Sequence, residues 1–251
     1  MKNAIIHIPH SSKKIPLNIR EQFILNDKYL NLELIKMTDY KTDEIFNIAG
    51  CSIISSEISR LVVDVERFPN DENEPMSKKE MGVIYYKTHD QKKLRRQLAS
   101  NEKSELLSKY YFPHHNKLNE SVRAKLEKYG KVLIIDGHSF SSLKLPYEMG
   151  NDEIRPDICI GSNLFHTSSD ILEFTVKIFK DEGFSVNKNY PFEGTLVPSD
   201  FYLKDKRVTS IMIELNRGLY MNEKSGMVNN EYERIKKIVQ NCCISIIDKF
   251  A

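Results

Sequence analysis

Short runs of apolar residues alternate along the chain with longer segments of helical periodicity. The apolar runs, most of them rich in β-branched residues, predict eight strands. These strands cover residues 4–8, 51–55, 61–65, 83–86, 132–136, 158–161, 184–186 and 210–215. Amphipathic spacing predicts helices over residues 43–49, 91–127, 170–182 and 231–249. The second helix should be broken near Pro113, because proline removes a backbone donor.

The predicted strands read as continuous apolar runs that are separated by helices. This pattern is typical of a largely parallel sheet covered on both faces. At 251 residues the chain has room for one large domain, and it contains no low-complexity stretch or repeat. We therefore predict a single α/β domain over residues 1–251, built on a mostly parallel mixed sheet with helices on both faces. Ligands should bind at the carboxyl ends of its strands.

Charge and cysteine content exclude several classes of protein. Lys and Arg total 37 against 35 for Asp and Glu, with the signs interspersed, so electrostatics does not support nucleic-acid binding. The one basic cluster, "KKLRRQ" at 92–97, is predicted to be a solvated helix face. No segment has the roughly 20 apolar residues of a membrane span, and no secretory signal is recognisable. Four cysteines without CxxC spacing indicate neither a disulfide framework nor a cysteine metal site. We expect a cytoplasmic protein.

Three predicted strands lead into ionisable residues of the kinds that form catalytic sites. His10 follows the first strand, Asp136 and His138 close "VLIIDGHSF", and "SIMIELNRG" carries Glu214 and Arg217. Two imidazoles and a carboxylate, with an open position for water, make up a catalytic zinc site. A further carboxylate beside such a site can act as general base. Any one of these histidines alone is more often a surface or hydrogen-bonded residue, so the hypothesis depends on their occurring together.

A second cluster of candidates lies in "SRLVVDVERFPND" at 59–71, where Arg60 and Arg67 flank an apolar run. The planar fork of arginine suits a bidentate contact with a carboxylate. The local sequence is equally compatible with two surface ion pairs, to acids such as Glu66 and Asp71. Both alternatives stay open at this point.

Seven short motifs occur in sequence between Ile6 and about Met221: "HIPHSS", "MTDYKTD", "SRLVVDVERF", "LIIDGHSF", "PDICIGS", "PFEGTLVP" and "IMIELNRGLYM". Their order resembles that of the N-formylglutamate amidohydrolase family, which is related in fold to the zinc carboxypeptidases and aspartoacylases. The likeness covers nearly the whole chain. It implies a zinc-carboxypeptidase-like fold and a zinc-dependent hydrolase that cleaves the amide bond of an N-acyl amino acid such as N-formylglutamate.

The resemblance also assigns metal ligands. His10 matches the histidine of the family's Pro-His-Ser turn, and His138 matches the histidine after aspartate in the later strand. The related carboxypeptidases place a glutamate three residues after their first histidine, where this chain has Lys13. We therefore take Asp39 of "TDY" as the acidic ligand, with Asp43 as the alternative.

Further roles follow from the same resemblance. Glu214 would be the general base, and Arg60 would polarise the scissile carbonyl and its oxyanion. Arg67, Arg217 and Ser11 would bind the substrate, with Arg67 holding its carboxylate.

Two questions stay open at this stage. His7 either orients a metal ligand or packs in the core. Glu66 stands in "DVER" where the family has asparagine, and a glutamate there would repel an acid or favour a substrate that carries an amine. The alternatives to the amidohydrolase are a metallopeptidase or cell-wall amidase acting on a longer substrate, and a non-catalytic carboxylate-binding protein. The sequence does not indicate an oligomeric state.

Overall fold

The computed structural model describes residues 2–148 and 154–251, which form a central sheet with helices on both sides. The six strands of the sheet are β1 Ala4–Ile8, β2 Ser52–Ser55, β3 Val132–Phe140, β4 Ile158–Gly161, β5 Val186–Lys188 and β6 Val208–Asn216. A separate two-stranded ribbon contains β7 Met221–Asn222 and β8 Met227–Val228. The helices are α1 Leu17–Arg20, α2 Asp27–Met37, α3 Thr42–Ile45, α4 Ser100–Leu106, α5 Phe112–Tyr129, α6 Ser169–Asp181 and α7 Tyr232–Phe250.

The sheet has the strand order β2-β1-β3-β6-β4-β5. Its neighbouring strands run parallel to each other except for β4, which is antiparallel to β6. The predicted α/β class and the mostly parallel mixed sheet are therefore confirmed. None of the described helices is long and apolar enough to cross a membrane.

Side chains of the central strands alternate between two differently covered faces, because successive residues of a strand point to opposite sides. One face packs against α3, α6 and α7, and we call it the apolar face. It carries Ala4, Ile6, Ile8, Leu133, Ile135, Ile211, Ile213 and Leu215. The opposite face, which we call the α5 face, carries Ile5, Val132, Ile134 and Val208 at the amino-terminal part of the strands. These residues pack against Leu118, Val122 and Leu126 of α5, which lie four residues apart on one side of that helix.

Gly137 in β3 marks a close approach on the apolar face. A Cβ atom at this position would lie 2.7 Å from the ring of Phe46, which directly follows α3. Glycine therefore allows α3 to pack tightly against β3 between the two polar residues that flank position 137.

Two of the predicted strands are wrong. Residues 61–65 and 83–86 form turns and single bridges that build a second hydrophobic core with α2 and the end of α4. Their apolar runs reflect burial rather than sheet pairing, a distinction that a continuous apolar run does not make.

The predicted solvated helix at 92–97 is also wrong, because this segment is extended and α4 begins only at Ser100. Arg95 is fully buried, and its guanidinium lies 4.4 Å from the centre of the Phe23 ring. Its Nη2 donates to the backbone oxygen of Leu61. A buried arginine thus satisfies carbonyl groups of the second core, although the local sequence reads as surface charge.

The break near Pro113 is a change of helical geometry. A π-helical turn at Leu107–Tyr111 joins α4 to α5, and proline occupies the first turn of α5. At that position the missing N–H costs little. The sequence pattern missed α2, in which Leu30 and Met37 are buried while Leu32 is exposed, so that its apolar residues form no clear stripe.

Candidate active site

The α5 face becomes polar toward the carboxyl ends of β1, β3 and β6. His7, Asp136, His138 and Glu214 alternate with apolar residues that point to the opposite face. In the sheet register His7 lies beside Asp136, and His138 lies beside Glu214. The four side chains are buried, with exposed fractions of at most 7%. They form the floor of the candidate site.

Two loops bring the remaining central residues over this floor. His10 follows β1, and Asp39 follows the carboxyl end of α2. The backbone N–H of Asp39 donates to the carbonyl oxygen of His10 at 3.0 Å, so the two loops are directly joined. Arg217 fixes the same region, because its Nη1 donates to the oxygens of Lys36 and Thr38 at 2.8 and 3.0 Å at the end of α2.

The imidazole nitrogens of His10 and His138 are oriented in a matching way. Both Nδ1 atoms face Asp39 Oδ2, at 3.6 Å from His10 and 3.2 Å from His138. The Nε2 of His10 lies 2.8 Å from Asp64 Oδ1, and the Nε2 of His138 lies 3.1 Å from Asp136 Oδ1. Histidine ligands of metals commonly use one ring nitrogen while a carboxylate holds the other. The arrangement therefore offers two Nδ1 atoms and one carboxylate oxygen to a cation.

His10 Nδ1 supplies a test of whether a cation fits here. It is buried and has no hydrogen-bond partner among the described residues. A buried ring nitrogen without a partner is costly, so it requires an explanation. A metal ion between the two imidazoles and Asp39 would satisfy it, and this donor set suits zinc.

Glu66 is a further candidate ligand that the sequence did not identify as one. Its Oε2 lies 3.6 Å from His10 Nδ1, and its Oε1 lies 3.2 Å from His138 Nε2. Ligand atoms of His10, Glu66 and His138 all lie within 4.8 Å of one another. Glu66 thus faces the two histidines, whereas in the sequence only its position in "DVER" marked it as unusual.

Asp64 links His10 to the arginine cluster. It is fully buried, and its Oδ2 accepts from Arg60 Nη2 at 2.8 Å and from Tyr85 Oη at 2.5 Å. Burial alone would raise the pKa of this carboxyl, but Arg60 and His10 outweigh burial and hold it well below its usual range. Asp64 is therefore a permanent anion that orients both His10 and Arg60.

The two predicted surface ion pairs of the arginines take a different form. Arg60 pairs with buried Asp64, and Arg67 lies 3.8 Å from Asp64 and 3.6 Å from Glu74. Glu66 and Asp71 are not their partners in the described parts of the chain. Asp64 was missed because "LVVDV" reads as a strand and two of its partners, His10 and Tyr85, are distant in sequence.

Comparison with known proteins identifies the family. A sequence profile of N-formylglutamate amidohydrolase matches residues 3–221. The chain belongs to the N-formylglutamate amidohydrolase family. A curated relative, N-formylglutamate deformylase from Pseudomonas putida, is 23% identical over 236 residues, covering 90% of this chain and 85% of the relative. The resemblance seen in the motifs and the prediction of an amide hydrolase are thus confirmed.

Two solved structures share the fold. The crystal structure of N-formylglutamate amidohydrolase from Ralstonia eutropha JMP134 has a TM-score of 0.85 at 17% identity, covering 98% of this chain and 93% of that chain. A gene product of Agrobacterium tumefaciens has a TM-score of 0.64 at 18% identity, covering 98% and 92%. At these identities the likeness concerns the fold.

Within this family fold, Glu214 is the acid with the most unusual environment. Burial raises its pKa to about 8, and the nearby carboxylates of Asp39 and Glu66 add to that rise, while His138 and Arg60 oppose it. Its Oε2 is buried without a hydrogen-bond partner in residues 2–148 and 154–251. Glu214 and Arg217 follow each other closely in the sequence but form no ion pair among the described residues, where Arg217 Nη1 donates to backbone oxygens at the end of α2.

The remaining predicted residues lie at different distances from the centre. Ser11 is half-buried directly after His10, and its predicted contact with substrate stays a prediction, as does that of Arg217. Asp43 is exposed in the first turn of α3, away from the histidines. The structure therefore brings Asp39, and not Asp43, to both imidazoles.

Tyr147 and Arg155 are neighbours of the site that the sequence motifs did not single out. Burial raises the pKa of Tyr147, and the charges of Arg60, Arg67 and Arg217 oppose that rise. Arg155 donates Nη1 to the oxygen of Ser141 at 3.0 Å and forms an ion pair with Glu148. The residues before β4 thus add a tyrosine near the other arginines and a fourth arginine near Glu214.

Proposed function

We propose that the chain hydrolyses the amide bond of an N-acyl amino acid, with N-formylglutamate as the first candidate, and that it depends on zinc. Family membership supports the reaction and the substrate class. The observation that carries the metal is the unpartnered Nδ1 of buried His10, which faces Asp39 beside the matching Nδ1 of His138.

His10, Asp39 and His138 would hold the ion, and Glu66 is close enough to add an oxygen as a fourth ligand. Zinc bound there supplies Lewis-acid chemistry, which makes water more acidic and polarises a carbonyl group. Asp64 and Asp136 keep the two imidazoles in the orientation that presents Nδ1.

Glu214 is the proposed general base. It lies beside His138 in the sheet, and its free Oε2 can accept a proton from the attacking water. The same carboxyl can then return that proton to the leaving nitrogen of the amide. A base with a raised pKa transfers the proton in both directions near neutral pH.

The arginines are the proposed sites for substrate charge. Arg60 is held rigidly by Asp64, so that its guanidinium can stabilise the oxyanion that develops from the amide carbonyl. Arg67 is one-quarter exposed, and its contacts with acids among the described residues are long, at 3.6 and 3.8 Å, which leaves it available to a substrate carboxylate. Tyr147 lies within the field of both arginines and could donate its hydroxyl to the same carboxylate.

The metal content of the purified protein tests the first half of the proposal. We expect about one zinc ion per chain by elemental analysis after mild chelation, with loss of zinc in His10→Ala and His138→Ala. His166→Ala removes another buried histidine and serves as the control, because the ring nitrogens of His166 hydrogen-bond to backbone groups of Val208 and Leu203. Full zinc occupancy in both site variants would contradict the ligand assignment.

A substrate panel tests the second half. N-formyl, N-acetyl and dipeptide derivatives of Glu, Asp, Gln and Lys should be compared at equal concentration with the zinc-loaded protein. We expect N-formylglutamate to have the highest kcat/KM. Preference for a dipeptide would favour a peptidase, preference for a lysine derivative would show that Glu66 selects an amine, and turnover of none would favour a binding protein.

A further inference from the structure

A chain of buried polar side chains runs from the candidate site into helix α5. His138 Nε2 lies 3.1 Å from Asp136 Oδ1, and the same oxygen lies 2.7 Å from His7 Nδ1. His7 Nε2 in turn lies 2.9 Å from His114 Nε2 on α5. Their exposed fractions are 3%, 1%, 0% and 8% in that order. The chain thus ends at a helix that contributes nothing else to the floor of the site.

The spacing of residues in α5 places His114 on the side of the helix that faces the sheet. His114, Leu118, Val122 and Leu126 are spaced by four residues and lie on the side of α5 that faces the sheet. The three apolar residues cover Ile5 and Ile134. His114 lies one turn nearer the amino terminus of α5, over the polar part of the same strands.

The hydrogen positions along this chain follow from the carboxylate at its centre. Asp136 is an acceptor, because an ionised carboxylate carries no hydrogen and its Oδ1 lies between two imidazole nitrogens, 3.1 Å from His138 Nε2 and 2.7 Å from His7 Nδ1. Both ring nitrogens that face Oδ1 must therefore carry hydrogen, which are Nε2 of His138 and Nδ1 of His7. The other oxygen of Asp136 accepts from the backbone N–H of Leu196 at 2.8 Å, so the carboxylate cannot rotate freely.

We propose that His7 and His114 are positioning residues, which hold Asp136 so that His138 carries hydrogen on Nε2 and turns its Nδ1 lone pair toward Asp39. The inference rests on the proposed metal site of His10, Asp39 and His138. In the described parts of the chain the ring nitrogens of His7 hydrogen-bond to Asp136 and His114 and not to His10, Asp39 or His138, although His7 Nδ1 also lies 3.8 Å from Glu66 Oε1. His7 and His114 act through Asp136, as Arg60 and Tyr85 act on His10 through Asp64.

Two substitutions at His7 distinguish a positioning role of its side chain from a packing role. His7→Leu removes the donor to Asp136, whereas His7→Asn keeps an amide N–H near the position of Nδ1. We expect zinc affinity, measured by chelator competition, to fall by roughly 10–100-fold in His7→Leu. In His7→Asn it should return to within a few-fold of the unmodified protein. Equal zinc affinity in the Leu and Asn variants would overturn the proposal.

His166→Leu is the matched control. His166 is as deeply buried as His7, with 2% exposed, and it hydrogen-bonds through both ring nitrogens, but to backbone groups away from the site. This variant should lose thermal stability and keep its zinc affinity. If His7→Leu fails to fold, His114→Phe and His114→Gln replace it at the end of the chain, where Gln can still donate to His7 Nε2. Phe should weaken zinc binding and Gln should not, and the opposite order contradicts the inference.

The tautomer of His138 gives a readout that does not require metal. Nitrogen-15 spectra of histidine-labelled protein should show hydrogen on Nε2 of His138, and His7→Leu should lower the fraction of His138 rings that carry it. A protein that binds no zinc but keeps this hydrogen would contradict the proposed function and leave the positioning role standing. A His138 ring with hydrogen on Nδ1 alone in the unmodified protein would overturn it. Two zinc ions per chain, with the second lost in His7→Leu, would also overturn it, because His7 would then be a ligand.

Discussion

Ile213 and Glu214 are neighbours in β6, yet they belong to different parts of the molecule. Ile213 is fully buried on the apolar face, against helices that only cover the sheet. Glu214 points to the α5 face, beside His138. The same alternation places Ile6 next to His7, and it makes one face of each strand a core while the other becomes a site. Stability and chemistry are therefore separated by direction within the strand, and not by sequence position.

The polar face is tolerated because nearly all its buried groups have partners. Burying an unpaired polar atom costs roughly 1–3 kcal/mol, so unpaired atoms are rare. Within the described chain, His10 Nδ1 and Glu214 Oε2 are two such atoms close to the centre of the site. The apolar face instead carries aliphatic side chains such as Ile6, Ile135 and Ile213. Substitutions at neighbouring positions that point to different faces should therefore have opposite effects on turnover and on stability.

The largest effect is expected for Glu214→Gln on turnover. Glutamine keeps the shape of the side chain but cannot accept the proton, so kcat should fall by roughly 10²–10⁴-fold. Zinc content and melting temperature should stay near those of the unmodified protein, since no ion pair is lost. Turnover, zinc and melting should be measured on one preparation. A stable, zinc-loaded and fully active variant would contradict the role of general base.

Ile213→Ala, one position earlier, should have the reverse profile. Removing a fully buried aliphatic side chain typically lowers the free energy of unfolding by about 2–5 kcal/mol, because the cavity is only partly filled. The folded fraction should keep kcat within a few-fold. Denaturant unfolding and turnover on the same sample check this. A loss of turnover larger than that of Glu214→Gln would show that the two faces are not separable.

The comparison also explains what the sequence can predict. Strands β1, β3, β4 and β6 were identified because their apolar runs are short and β-branched. The motifs proposed His10, Asp39, His138 and Glu214 as site residues, and their roles stay predictions. Asp64 and Arg95 could not be assigned, because their roles depend on partners that fold back from distant segments, such as Tyr85 and Leu61. Glu66 was marked as unusual, but only the backbone places its carboxylate beside the histidines.

Asp39 and Asp43 are four residues apart, and substituting each of them compares the two candidates for the acidic metal ligand. Asp39→Asn removes the carboxylate that faces both Nδ1 atoms, so zinc affinity should fall by at least about 10-fold. Asp43→Asn should leave zinc affinity unchanged and slightly lower the melting temperature, because an acid in the first turn stabilises α3. Chelator competition and thermal unfolding distinguish the pair. Loss of zinc in Asp43→Asn alone would exchange the two roles.

Lysine substitutions of Arg67 and Arg60 should have smaller effects, the first mainly on KM and the second mainly on kcat. Arg67→Lys replaces a planar fork by a point charge and should mainly raise KM, by about 10-fold. Arg60→Lys should mainly lower kcat, because it also loses the two bonds to Asp64 that orient the guanidinium. Steady-state kinetics with the best substrate of the panel measures both. Equal changes in KM and kcat for the two variants would indicate that both residues stabilise the fold and have no separate roles in binding and catalysis.

The smallest expected effect is the pH dependence of stability that Glu214 gives to the metal-free protein. Its carboxyl has a pKa of about 8 in the folded state, mainly through burial, against an ordinary value of 4.5. Between these values the unfolded chain releases the proton while the folded chain keeps it. The contribution of Glu214 is therefore fully present below pH 4.5 and declines as the pH rises toward 8.

Glu214→Gln has no such proton, so subtracting its stability profile from that of the unmodified protein cancels the contributions of all other titrating groups, which the two proteins share. We expect the variant to gain stability relative to the unmodified protein between pH 5 and 8, by several degrees of melting temperature, whereas Ile213→Ala should run parallel to the unmodified protein. A constant difference between Glu214→Gln and the unmodified protein across this range would mean that Glu214 is already ionised in the folded site, and its part as a base with a raised pKa would have to be abandoned.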